Sequence, residues 1–326
     1  MAGNLAVPND FAAATGNVAA SKIDDNFTQV ETYVNTREVA VGLLSARPAA
    51  GVAGRWYVAS DVSGGTAYVD TGVAWVQTGA GVVGASAQMF RSYLAGLALA
   101  NNGSDATNDL DVAVGECRSD DDAEDLALGT ALTKRLDAAW VVGNNEGGLD
   151  TGAIANTTYH VFLIKRPDTG VVDALFSASL SPTMPTNYTK KRRLGSITRV
   201  SGAIRPFKQH GDTFLWVTPT LDVNTTSSGT TRTARQLTCP TGLALWALVQ
   251  GSATDAHVFL SPDITDAAAS ETVAPLTTWR AQGATFAMGK AQVLTNTSAQ
   301  IFTRSVSDNV LRIVTEGWID RRGRDD

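Results

Sequence analysis

Most of this chain alternates short β-prone runs with turn clusters, and one early segment breaks the pattern. In "SKIDDNFTQVETYVNTREVAV", Ser21 to Val41, apolar residues fall at Ile23, Phe27, Val30, Val34 and Val41. That spacing is a heptad seam with Arg37 interrupting one core position, and it predicts an amphipathic helix. Ser21 supplies an N-cap and Asp24 a first-turn carboxylate, both of which complement unpaired backbone N–H groups. An isolated helix of this length is marginal in water, so its apolar stripe needs a partner.

Beyond the helix, Pro48 and the glycines after it end the helical region, and the pattern turns to strands. Arg55 to Ala59, Thr66 to Asp70 and Val73 to Gln77 read as a three-stranded meander turned by Gly64-Gly65 and Gly72. Trp56, Tyr68 and Trp75 are expected on one face of this small sheet, which is weak alone. "GAGVVGAS" is a Gly/Ala-rich break. From about Arg91 to Asn224, "LDVAVGE", "YHVFLIK" and "VVDALFSAS" predict strands, the last two buried. Within that stretch, Leu126 to Trp140 carries Leu128, Leu132, Leu136 and Trp140 four apart and is read as one helix. "VNTTSSGTTRTA" marks a further boundary or long loop. The short strands after it, from "LALWALVQG" to "NVLRIVTEGWID", are the signature of a β-sandwich. The fold class is therefore mainly β: residues 1–45 with the helix, 46–80 the meander, 81–228 a β-rich middle domain and 229–326 a C-terminal β-sandwich.

Composition supports a β-rich chain with many turns. Of 326 residues, 44% are apolar and only 18% charged, with 30 glycines. The net charge of -6 argues against a general nucleic-acid binder, which needs a basic face to release counterions. No segment approaches the roughly 20 apolar residues of a membrane span, and "MAGNLAVPNDF" lacks the pattern of a signal peptide, so neither membrane insertion nor export is expected. Cys117 and Cys239 match no metal or redox spacing and are expected as buried thiols, with one disulfide as the alternative.

Candidate chemistry is sparse. His160, His210 and His257 stand apart from each other and from cysteine, and His160 falls within an apolar strand. No nucleophile elbow, phosphate loop or dinucleotide fingerprint is present in the sequence, so no cofactor and no metal is expected. "SDDDAED", Ser119 to Asp125, offers carboxylates for a hard cation but lacks the EF-hand glycine and terminal Glu, and a solvated turn is the simpler reading. "KKRR", Lys190 to Arg193, reads as a basic surface turn before a strand, with contact to an acidic polysaccharide or a neighbouring subunit as the alternative. Trp216 and Trp246 lie in apolar strands and are assigned to the core. Trp279 follows a Pro- and Thr-rich stretch and precedes Arg280, so this pair is the candidate receptor contact, with a buried strand-edge Trp as the alternative.

The segment "NDFAAATGNVAASKIDDNFTQVETYV" resembles the start of many tailed-bacteriophage fibre and appendage proteins. The meander "RPAAGVAGRWYVASD…TAYVDTGVAWVQ", the stretch from "LTKRLDAAW" through "RRLGSITR", and "LTNTSAQIFTR…GWIDRRG" are similar to regions of phage structural proteins. The resemblance implies a virion component, a tail or head fibre or spike, that docks to other virion proteins by its N-terminus. It implies a homotrimer with Ile23, Phe27, Val30 and Val34 in a short helical bundle; a single helix packed on its own domain is the alternative. It further implies contact between the C-terminal domain and a host surface glycan or protein, and it carries no catalytic motif. A polysaccharide depolymerase and a purely structural linker or decoration protein are the rival readings. A depolymerase would hold two carboxylates roughly 5–10 Å apart over a sugar groove.

Overall fold

The computed structural model describes residues 27–28, 39–62, 65–78, 90–268, 270, 272–274, 276–280 and 286–324. The protein is mainly β. Its contacts divide it into two compact units, Met1–Gln88 and Met89–Asp326.

In the first unit, strand β1 (Val39–Gly42) is followed by a single 3-10 turn (Leu44–Ala46), β2 (Trp56–Ala59), β3 (Thr66–Asp70) and β4 (Trp75–Gln77). The sheet order is β1-β2-β3-β4. β2, β3 and β4 form an antiparallel meander, and β1 adds to β2 in parallel. Tyr57 faces Tyr68 and Trp75 faces Asp70, so the aromatic face is built from Tyr57, Tyr68 and Trp75. Trp56 faces Val69 on the other side and is 40% exposed, which corrects the expected trio by one residue. A side-chain period of two gives each one-residue shift the opposite face. The Arg47 guanidinium lies 4.3 Å from the Tyr68 ring centre, and that of Arg55 lies 5.1 Å from Trp75, so the ring stack is covered by cations. Asp70, with a fully buried side chain, accepts hydrogen bonds from the N–H groups of Gly51, Val52 and Gly72 and pairs with Arg55 at 2.8 Å.

Of the expected helix from Ser21 to Val41, Ile23, Val30 and Val34 lie outside the described residues. Phe27 has helical backbone and is exposed, and Val41 belongs to β1 rather than to a helical seam.

The second unit begins with β5 (Leu94–Gly96), β6 (Leu99–Asn101), β7 (Asp109–Val112), β8 (Gly115–Arg118), β9 (Asp125–Leu128) and β10 (Leu132–Ala139). It continues with β11 (Glu146–Leu149), β12 (Thr158–Lys165), β13 (Val172–Ser177), β14 (Lys190–Val200), β15 (Ala203–Ile204) and β16 (Phe207–His210). The remaining strands are β17 (Thr213–Thr225), β18 (Thr233–Gln236), β19 (Trp246–Ala253), β20 (His257–Leu260), β21 (Ala287–Leu294), β22 (Gln300–Ser305) and β23 (Leu311–Ile319).

These strands form an eight-stranded sheet (β15-β14-β12-β13-β11-β10-β7-β6) and a five-stranded sheet (β16-β17-β23-β19-β21), with two three-stranded sheets (β18-β22-β20 and β5-β8-β9). The stretch from Leu126 to Trp140, expected as a helix, is two strands. Leu126 and Leu128 are buried in β9, and Leu132, Lys134 and Leu136 in β10.

One cluster of buried apolar residues runs from Leu97 through Trp216 and Ile301 to Trp318. It includes residues on both sides of position 228. β23 lies at the centre of the five-stranded sheet, pairing antiparallel with β17 on one side and β19 on the other. Trp318 stacks on Phe214 at 5.1 Å and meets Trp216 at 4.5 Å, whereas Trp246, expected in the core with Trp216, opens β19 on the exposed side and is 44% exposed. Immediately after β23, Asp320 receives two hydrogen bonds of 2.7 Å from the Arg193 guanidinium of β14. Arg322 then donates to the carbonyls of Leu194 and Leu97. These side chains are buried, so the segment closes on the first half of the unit as a dry clasp.

Candidate functional site

The acidic and basic runs singled out in the sequence meet each other. Lys190 pairs with Asp121 at 2.6 Å, Lys191 with Asp120 at 2.7 Å, and Lys165 of β12 with Glu124 at 2.8 Å. From the end of β8, buried Arg118 pairs with Asp122 and Asp125. The carboxylates that the sequence offers to a cation are thus matched by the chain's own lysines and arginine, and among the described residues no cluster suits a metal ion. "KKRR" is the opening of β14 rather than a surface turn, and its Arg192 and Arg193 are buried.

The histidines do not converge. His160 is buried in β12, its Nδ1 2.9 Å from Ser196 Oγ, and burial with help from Arg193 lowers its pKa to about 4. His257 is buried in β20 with its pKa lowered by burial, and His210 is exposed. Cys117 and Cys239 are free and buried, and burial pushes the Cys117 thiol up to about 12.

Trp279 is 7% exposed and belongs to the core, so it is unavailable as a receptor contact while Arg280 is exposed beside it. The ring meets Phe259 edge-on at 4.3 Å and lies against the backbone of Gly251 and Gly289. The main-chain N–H of Trp279 donates to the His257 carbonyl, and its main-chain carbonyl accepts from His257 N–H. The apolar ring finds a glycine-lined seat there, so Trp279 is the buried strand-edge Trp of the alternative reading.

The site with the best convergence of chemistry lies elsewhere, between the end of β10, the turn after β11, the β12–β13 connection and the loop before β14. A cleft of about 520 Å³ opens there, lined by Trp140, Val142, Asp150, Arg166, Thr186 and Tyr188 among others. Volumes of roughly 300–1,000 Å³ are typical of small-molecule sites. Trp140 is half-buried, and its ring meets Tyr188 edge-on at 5.0 Å. Its indole N–H donates to the Ala174 carbonyl at 3.0 Å, which fixes the ring. Behind it, buried Lys134 donates to the carbonyls of Val141 and Gly143 and pairs with buried Asp173 at 3.3 Å. Burial lowers the lysine and raises the carboxyl, and their mutual attraction opposes both shifts. This pair anchors the turn from Trp140 to Gly143, because Gly143 N–H also donates to Asp173.

On the cleft wall, Asp150 accepts from the N–H groups of Thr151 at 2.7 Å and Thr183 at 3.0 Å. Arg166 is held flat by two bonds to Asp168, at 2.8 and 2.9 Å. Desolvation raises the Tyr188 hydroxyl pKa, and Asp173 adds to the shift. Sequence reading missed Trp140 and Asp150 as site residues. The four-residue spacing of Leu128, Leu132, Leu136 and Trp140 places Trp140 on a helix stripe, and the signal against that is the turn-rich "VVGNNEGGLDTG" beside it. No family model, curated protein or solved structure matches the chain.

Proposed function

We propose that the chain is a structural subunit of a phage or phage-like particle, an appendage that docks to the virion by its N-terminal segment and contacts the host surface through residues 89–326. The observation that carries this reading is the division of contacts. A small unit, 1–88, holds the appendage-like segment, and a large β unit carries a cleft of ligand size. Docking and host contact are separate tasks, and separate units can perform them independently.

In this reading, β18-β22-β20 and the five-stranded sheet are the two layers of a C-terminal β-sandwich, with Trp279 between Phe259 of β20 and the backbones of β19 and β21. Ile23, Phe27, Val30 and Val34 of three copies form the short helical bundle, each contributing about 1.5–3 kcal/mol when fully buried. Host contact moves from Trp279 and Arg280 to the loops around Trp140 and Asp150. The chain binds its ligand without cleaving it.

Light scattering of the full chain is expected to give a three-copy mass that Val30→Asp reduces to a monomer. Labelled protein is expected to decorate host cells and to sit on a peripheral appendage in electron images of the particle. A monomer whose mass Val30→Asp leaves unchanged, together with no decoration of host cells, would overturn the reading.

A further inference from the structure

We propose that the Trp140 cleft binds a neutral saccharide, with Asp150 accepting hydrogen bonds from a pair of neighbouring hydroxyls and Trp140 covering an apolar face of the sugar. The proposal rests on the reading of residues 89–326 as the host-contact unit and names the class of ligand this unit takes.

Asp150 is the first ground. An ionised carboxylate accepts about four hydrogen bonds. Asp150 uses one position on each oxygen, for Thr151 N–H and Thr183 N–H, and among the described residues it has no cationic partner. One acceptor position remains on each oxygen, at a separation that suits two adjacent hydroxyl groups. Those two backbone bonds also hold the carboxylate in place before any ligand arrives, so little ordering cost remains at binding.

Charge decides the class. Arg166 and Asp168 neutralise each other across two hydrogen bonds, leaving Asp150 as the unmatched charge of the cleft wall. An anionic ligand would meet that carboxylate directly. A purely apolar one would strip its water without replacing the lost hydrogen bonds. A cationic ligand would suit Asp150 but not Trp140, because Lys134 Nζ already lies 5.6 Å from the centre of that ring and supplies the cation its π-face would attract. A neutral polyol satisfies both walls. Its hydroxyls serve Asp150 and the remaining Arg166 N–H groups, and its C–H face serves the half-buried indole.

The test uses the full-length protein and saturation-transfer NMR with maltotriose, mannotriose and a galactose trisaccharide, and with oligogalacturonate and chitosan oligomers as anionic and cationic probes. At least one neutral trisaccharide is expected to bind. Asp150→Asn is expected to weaken it about tenfold to a hundredfold, as for a hydrogen bond to a charged group. Val142→Arg, at a half-exposed position on the rim, is expected to block the cleft with an unchanged circular dichroism spectrum. Failure of every neutral trisaccharide, binding that neither variant affects, or preference for either charged probe would overturn the proposal. Decoration of host cells is measured in parallel. Decoration that survives both variants sinks the saccharide site and leaves the appendage reading standing, whereas saccharide binding without any decoration does the reverse.

Discussion

A Cβ on Gly251 or Gly289 would overlap the Trp279 ring, so two adjacent strands keep glycine where one indole must lie against their backbones. The same logic of one residue fitted to one neighbour governs His160. Burial first, and then Arg193, disfavour the imidazolium and lower its pKa to about 4 in the folded protein, from the ordinary histidine value of about 6.5. Between those two values the unfolded chain binds a proton that the folded protein refuses. His160 therefore contributes stability that is complete above about pH 6.5 and is lost as pH falls toward 4, by about 3 kcal/mol in full. Asp173, whose folded pKa is raised, slopes the opposite way, so the comparison of wild type with His160→Gln isolates the histidine. Urea midpoints at pH 7, 5.5 and 4.5 are expected to fall less steeply with acidification in the variant. Equal slopes would remove His160 from the account. The sequence showed that His160 sat in an apolar strand. It did not show Ser196 or Arg193 beside it, because both come from β14, more than 30 positions away.

At the scale of elements, the meander was legible and the second expected helix was not, and the spacing explains both. The meander strands have turn residues between them and near-strict alternation, which fits no helix. Leu128, Leu132 and Leu136 recur every four residues, and four is a multiple of the strand period as well as close to the helical one. Gly129 and Thr130, between β9 and β10, were the discriminating signal. The acidic run was visible too, yet its partners lie 69 and 71 positions on, since Lys190 and Lys191 reach it only when β14 is in place. Arg118 holds that loop from inside by pairing with Asp122 and Asp125. Arg118→Gln is expected to release it, so that the amides of Ala123 and Glu124, which donate to Ser119 Oγ, exchange with solvent much faster while those of β12 stay protected. Unchanged protection at 123 and 124 would mean that the lysine pairs alone hold the loop.

The whole second unit depends on its clasp. Arg193 of β14 and Asp320 are buried together, and removing one partner of such a pair leaves an uncompensated charge, at about 3–5 kcal/mol. Arg193→Met is expected to lower the melting temperature of residues 89–326 as a single cooperative transition, measured by calorimetry. A variant that melted in two steps would show the clasp to be local. Neither partner was singled out as a pair from sequence, since a contact across 127 positions leaves no periodic trace. The central place of β23 has a further effect during protein synthesis. β17 and β19 emerge from the ribosome long before residues 311–319, and until those arrive each has an unpaired edge where its central neighbour belongs. Nascent chains that wait side by side on one messenger therefore expose matching strand edges to each other, and a ribosomal pause before residue 311 prolongs that exposure. Codon choice and translation speed in this last stretch would then bear on the yield of folded protein.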